Sequence, residues 1–230
     1  MTAARQPRRP LAERPPEAQN TPAPRPKPAA SLIVVRDDGR VLMGKRSDAV
    51  RFMPGKFVFP GGRPHRNDGR MAAMGTVAGH SLFGGDAHLR HRLGMAAIRE
   101  TFEETGLRLA APGTPPVVKG WRAFAKPGLL PDLGALRFFA RAVTPPWLGH
   151  RYDTRFFVAR AQALQPGTPE PSEELTEVHW LSPAEAMDTN LPIITRFLLE
   201  ELPDWLNNDQ APALCARVVA GQMRVDRANG

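Results

Sequence analysis

Hydrophobic and polar positions divide the chain into short extended runs and a few helical ones. Ser31-Leu32-Ile33-Val34-Val35 is β-branched, Asp37-Asp38-Gly39 has turn chemistry, and Val41-Leu42-Met43 resumes the apolar run, which predicts a hairpin over 31–46. Phe57-Val58-Phe59 predicts a short strand that Pro60-Gly61-Gly62 stops. Strands are predicted over 135–143, 153–159 and 177–181, the first two separated by Thr144-Pro145-Pro146. A helix should run from residue 87 or 95 to 105, with Gly106 as its C-terminal stop. Ser182-Pro183-Ala184-Glu185 is a helix start with a capping serine, proline at the first position and a glutamate that can reach back. After Leu191-Pro192, the residues Ile194, Phe197, Leu198, Glu201 and Leu202 follow helical spacing. Residues 63–86 carry glycines, charges and little pattern, and read as an inserted excursion with one helical turn near 71–74. Strands mixed with few helices predict an α+β or α/β sandwich.

The ends add little pattern. Residues 1–30 are dense in proline and read as a disordered Pro/Arg-rich tail, because proline removes the amide donor and clashes inside helices. The main domain is expected over 31–206, and 207–230 as a weakly patterned C-terminal extension. The chain has 230 residues and a formal net charge of +8, which invites a nucleic-acid reading. Arg5, Arg8, Arg9, Arg14, Arg25 and Lys27 stand against only Glu13 and Glu17, so about half of that excess sits in the tail. Nucleic acid is therefore disfavoured as a partner. No run approaches the roughly 20 apolar residues of a membrane helix, so no membrane partner is expected. The single cysteine, Cys215, excludes an internal disulfide and fits a reducing cytoplasm.

On a helix with about 100° per residue, Glu100, Glu103 and Glu104 fall within an arc of roughly 100°. Met95, Ile98 and Phe102 fall on the opposite side, where a core would take them. Three carboxylates this close repel one another unless something positive neutralises them. A hard divalent cation such as Mg²⁺, with Mn²⁺ as a substitute, does so through oxygen ligands and often bridges to phosphates. Arg99, one turn before Glu103, can pair with it and hold it in place.

The segment Arg99-Glu100-Thr101-Phe102-Glu103-Glu104-Thr105-Gly106-Leu107, with Phe59-Pro60-Gly61-Gly62 upstream, resembles the Nudix hydrolases. Their pattern is Gly-x5-Glu-x7-Arg-Glu-U-x-Glu-Glu-x-Gly-U, where U is aliphatic. The resemblance implies a Nudix-type α/β/α sandwich with a mixed sheet, with Glu100, Glu103 and Glu104 as Mg²⁺ ligands. Two positions depart from the pattern: Thr101 stands at an aliphatic place, and His91 stands, by count from Arg99, where the first glutamate belongs. Gly85 falls at the opening glycine by the same count, but Gly62 is the more natural equivalent, with about two dozen extra residues before the helix. A Nudix subgroup that includes the peroxisomal coenzyme A diphosphatase carries such an insertion. The chain is similar to it over residues 51–62, 97–104, 144–146 and 153–157.

The resemblance implies a pyrophosphohydrolase that cleaves a diphosphate linkage in coenzyme A, an acyl-CoA or a related nucleoside diphosphate derivative, by metal-activated water. The alternative is a catalytically weak or silent Nudix-fold nucleotide-binding module, motivated by His91. Arg46, which ends the second strand, and Arg63, after the Pro-Gly-Gly turn, are candidate diphosphate ligands, since guanidinium forks match phosphate oxygens, and Gly61 and Gly62 are candidate substrate-binding positions beside them. Glu173 and Glu174 are candidates for a loop-borne general base, against a solvated acidic loop as the plainer reading. Phe52 or Trp121 could stack on a base, with core packing the default. Arg155 alternates with Phe156 and points either into a cleft or outward. His65, His80, His88 and His91 show no zinc spacing. The sequence leaves a homodimer open.

Overall fold

The computed structural model describes residues 23–78, 80–125, 128–208, 211–219 and 222–228. Its strands are β1 (Lys27–Val35), β2 (Val41–Arg46), β3 (Phe57–Val58), β4 (Gly61–Gly62), β5 (Ala110–Pro112), β6 (Leu129–Pro131) and β7 (Arg137–Val143). They continue with β8 (Tyr152–Arg160), β9 (Leu175–Leu181), β10 (Ala213–Val219) and β11 (Gln222–Ala228). The α-helices are α1 (Ala87–Thr105), α2 (Arg122–Ala125), α3 (Pro183–Met187) and α4 (Ile193–Leu206).

The main sheet has the order β11-β10-β7-β8-β1-β2-β3, with β4 also pairing with β1 and β9 with β2. Pairs β1–β8 and β10–β7 are parallel and the others antiparallel, so the sheet is mixed. β5 and β6 form a separate ribbon. Alternation along β1 supplies both faces of the sheet. Ala30, Leu32 and Val34 enter a core with Met95 and Ile98 of α1. Ile33 and Val35 enter a second core with Ala186 of α3 and Phe197, Leu198 and Leu202 of α4. Leu32, Ile33 and Val34 are fully buried, and burial of each such side chain contributes about 1.5–3 kcal/mol. The result is an α/β/α sandwich, as the sequence predicts.

The helix that matters most is well terminated. Asp86 caps α1 by accepting the Leu89 amide at 2.8 Å, and Gly106 closes it at φ +74°, where glycine carries no Cβ penalty. Thr101, at the aliphatic position, is fully buried, yet its hydroxyl donates to the Ala97 carbonyl at 2.8 Å. The polar atom is thus satisfied inside the helix.

Four expectations change. β1 begins at Lys27, so residues 27–30 belong to the sheet rather than to a tail; the reading of residues 1–22 lies outside the described residues. The prolines misled here: Lys27 donates its amide to Arg151, so Pro28's missing amide faces the side where no strand pairs over 27–29. The helical turn of the insertion lies at Arg66–Gly69, not at 71–74, because Asp68 closes it by accepting the His65 amide. The extension over 207–230 contains a hairpin, β10–β11, that joins the sheet through β7. Arg155 points neither to an open cleft nor outward: it is buried, donating to the Phe83 carbonyl and pairing with Asp153.

Candidate active site

The glutamates of α1 meet the Pro-Gly-Gly turn. Glu104 is 3% exposed, and its Oε2 accepts the Gly61 amide at 2.9 Å. Its other oxygen, Oε1, is buried without a hydrogen-bond partner. Glu100 lies against Gly62, where any Cβ would collide with its carboxylate. Likewise a Cβ on Gly61 would meet the Ala30 carbonyl of β1. The two glycines are therefore required by close approach, which lets β4 slide between β1 and the glutamates.

Arg99 is the hub behind these carboxylates. It is 2% exposed and donates Nη1 to Glu103 Oε2 at 2.6 Å and Nη2 to Glu100 Oε1 at 3.0 Å. Nη2 also reaches the Arg63 carbonyl at 3.0 Å. Nε donates to Asp68 Oδ1 at 2.9 Å, and Asp68 is fully buried. Burial would lower the Arg99 pKa, but Asp68, Glu100 and Glu103 together raise it, so the guanidinium stays cationic.

The remaining electrostatics are unfavourable to bare carboxylates. Burial pushes Glu104 up to about 8, with Glu100 and Glu174 adding to the rise and the Gly61 amide opposing it. Burial pushes Glu100 up to about 7, against the pull of Arg99. Among the described residues no group of three or more acidic, histidine or cysteine side chains is already gathered as a metal cage. The reason is visible: Arg99 draws Glu100 and Glu103 toward itself, while Gly61 takes one oxygen of Glu104. The residues nonetheless suit a hard divalent cation. Glu104 Oε1 is an orphaned buried acceptor, and a nearby dication would favour the ionised form of both raised carboxyls.

A cavity of about 600 Å³ opens beside this site. Arg46, Gly61, Gly62, Arg63, Glu100 and Glu174 line its polar end. Phe52, Trp147, Tyr152, Ile194, Val218 and Met223 add apolar lining, and Lys56 and Arg217 two further cations. Arg46 is steadied by donating Nε to the Phe52 carbonyl at 2.9 Å. Of the residues anticipated from the sequence, the structure brings together Glu100, Glu104, Arg46, Arg63, Gly61, Gly62 and Glu174. Glu103 is 43% exposed at its side chain and does not line the cavity, though Arg99 ties it to the cluster. Glu173 is exposed and absent from the lining. Phe52 lines the cavity, whereas Trp121 is core, its indole donating to Asp68 at 3.2 Å.

Sequence reasoning missed three contributors. Val218 and Met223 belong to the C-terminal hairpin, which pattern alone did not reveal. Asp68 sits in a pattern-poor segment, and its single signal is its spacing of six residues after Gly62.

No family model matches the chain. The acyl-coenzyme A diphosphatase of Gallus gallus is 28% identical to it, over 77% of this chain and 61% of that protein. The human acyl-coenzyme A diphosphatase is also 28% identical, over 74% and 59%. The chain spans about three fifths of the length of these curated relatives. Among solved structures, a Nudix hydrolase from Alicyclobacillus acidocaldarius is 28% identical with a TM-score of 0.63, covering 77% of this chain and 91% of that one. A Nudix hydrolase from Nitrosomonas europaea, 18% identical with a TM-score of 0.51 over 88% and 84%, shares the fold.

Proposed function

Because the chain is a member of the Nudix superfamily that resembles the acyl-coenzyme A diphosphatases, we propose that it is a divalent-metal-dependent hydrolase of a diphosphate linkage in coenzyme A, an acyl-CoA or a related nucleoside diphosphate derivative. One observation carries the reading: buried Glu104, with an unpartnered oxygen, accepts the amide of Gly61, and Gly61, Gly62 and Glu100 line a largely apolar cavity.

Glu100, Glu103 and Glu104 would hold Mg²⁺ or Mn²⁺, with Arg99 orienting Glu100 and Glu103. When bound, the cation neutralises charge on the diphosphate oxygens and makes phosphorus a better electrophile. Arg46 and Arg63, which line the same cavity, would pair with the diphosphate oxygens. Glu174 lines the cavity and would serve as the carboxylate that accepts a proton from attacking water. The trough of Phe52, Trp147, Ile194, Val218 and Met223 takes the apolar part of the substrate and leaves the diphosphate at the glutamates. Water adds across one P–O–P bond and two phosphate monoesters leave.

No helix among the described residues is long and apolar enough to cross a membrane. The lone cysteine, Cys215, is buried, and the setting we propose is cytoplasmic.

Steady-state hydrolysis of coenzyme A, a long acyl-CoA and nucleotide sugars, with Mg²⁺ or Mn²⁺, tests the reading. Turnover of the coenzyme A compounds is the expected result. Tight calorimetric binding of these compounds without turnover would show a binding module instead.

A further inference from the structure

Helix α4 opens without a cap. The first amides of a helix have no intrahelical partners, and the side chain of the preceding residue usually accepts from one of them. Here that residue is Pro192, which has no side-chain acceptor, and the first turn carries no acidic residue. Among the described residues, none accepts the amides of Ile193, Ile194 or Thr195; the helix begins its bonding with the Arg196 amide on the Pro192 carbonyl at 3.0 Å. Residues 191–195 line the cavity, so these donors and the positive end of a 14-residue helix open on it.

Thr195 is a second and independent indication of a ligand. It is 4% exposed and lies one turn before buried Leu198 and Leu199, so its side chain turns inward with theirs, and it lines the cavity. Its hydroxyl has no hydrogen-bond partner among the described residues. The buried threonines of α1 differ: Thr101 and Thr105 donate to carbonyls four residues earlier. A buried hydroxyl without a partner is costly, and a bound oxygen would satisfy it. Lys56 also lines the cavity and donates Nζ to Asn190 Oδ1, two residues before Pro192. The Phe57 amide fixes the same segment by donating to the Asn190 carbonyl at 3.0 Å.

Three unsatisfied amides, a buried hydroxyl and a cation suit the oxygens of an anion. An apolar group there would leave all these donors unpaired. The diphosphate is expected at Glu100 and Glu104 of α1, but α1 and α4 pack on opposite faces of the sheet. A different group of the substrate therefore belongs at α4. We propose that the start of α4, with Thr195 and Lys56, is a second anion subsite that takes a phosphate monoester of the substrate, the one on the ribose of coenzyme A.

This proposal rests on the coenzyme A reading, and the test separates the two. Calorimetry measures Kd for adenosine 3′,5′-bisphosphate and for AMP on wild type, Thr195→Val and Pro192→Asp, with EDTA present so that no metal takes part. Wild type should bind the bisphosphate about 10-fold or more tighter, the scale of a hydrogen bond to a charged group. Thr195→Val keeps the shape, removes the donor and should reduce that preference about 5-fold or more. Pro192→Asp supplies the missing cap and sets a carboxylate where the phosphate belongs. It should raise Tm and bring the two Kd values within about 2-fold of each other. Equal or undetectable binding of the two nucleotides by wild type overturns the proposal, as does a preference that either folded variant keeps within about 2-fold of wild type. Pro192→Asp decides alone if Thr195→Val does not fold. A wild type that prefers the bisphosphate yet hydrolyses nothing would sink the hydrolase reading and leave the subsite standing. Hydrolysis of coenzyme A with equal Kd values would do the reverse.

Discussion

Glu104 shows how one residue links burial to chemistry. Its folded-state carboxyl titrates near 8, above the ordinary value of 4.5, so the folded chain holds a proton that the unfolded chain releases. Its contribution to stability is fully present below about pH 4.5 and is lost as pH rises toward 8. Glu100, raised to about 7, acts in the same direction. Metal-free protein should thus lose thermal stability between pH 5 and pH 8, as the carboxyls ionise. Saturating Mg²⁺ or Mn²⁺ should restore it, with a larger shift in Tm at pH 8 than at pH 6. A metal-free Tm that rises over that range would contradict the assignment. Gly62→Ala makes a second expectation at this scale. The new Cβ meets the mobile end of Glu100 rather than backbone, so the fold should survive while kcat falls about 10-fold or more. Gly61→Ala would strike the β1 backbone instead and should lower Tm.

At the scale of elements, legibility followed locality. The β1–β2 hairpin, α1 and α3 carry their instructions in adjacent residues: a turn at Asp37-Asp38-Gly39, the stop at Gly106, the capping box of Ser182 and Glu185. The β10–β11 hairpin does not. β10 reaches the sheet through three parallel pairs with β7, from Leu214↔Ala140 to Ala216↔Ala142, a contact some seventy positions away in sequence that no local pattern encodes. The insertion was opaque for a similar reason, since Asp68 and Met71 owe their burial to α1 and to Trp121 rather than to neighbours in sequence. Hence the candidate glutamates were readable as a helical arc, whereas the partners of Arg99 and the hairpin wall of the cavity were not. The hairpin carries its own prediction. Val218 and Met223 face the apolar trough, so Met223→Asp should raise KM for a long acyl-CoA several-fold while changing KM for coenzyme A by less than about 2-fold. Equal effects on both substrates would place the acyl group elsewhere.

At the scale of the whole molecule, the α/β/α sandwich works as a frame that brings two sequence-distant segments to one point. Residues 59–62 arrive against β1, and α1 packs its Met95 and Ile98 beneath the same strand while presenting Glu100 and Glu104 to the turn. The frame also redraws the boundary at the N-terminal side. Ala29 and Ala30 are buried in β1, so removing residues 1–30 should cost measurable thermal stability. Of the cations behind the net charge of +8, Arg46, Lys56, Arg63 and Arg217 line the cavity. The most direct measurement is kcat for a coenzyme A substrate at saturating Mg²⁺, wild type against Glu104→Gln. That exchange preserves shape and removes the one buried carboxylate with an unpartnered oxygen. A fall of at least about 100-fold, in a variant that unfolds at the wild-type temperature or above, is the predicted result. A variant that keeps kcat within about 3-fold of wild type would contradict the placement of the reaction at this helix.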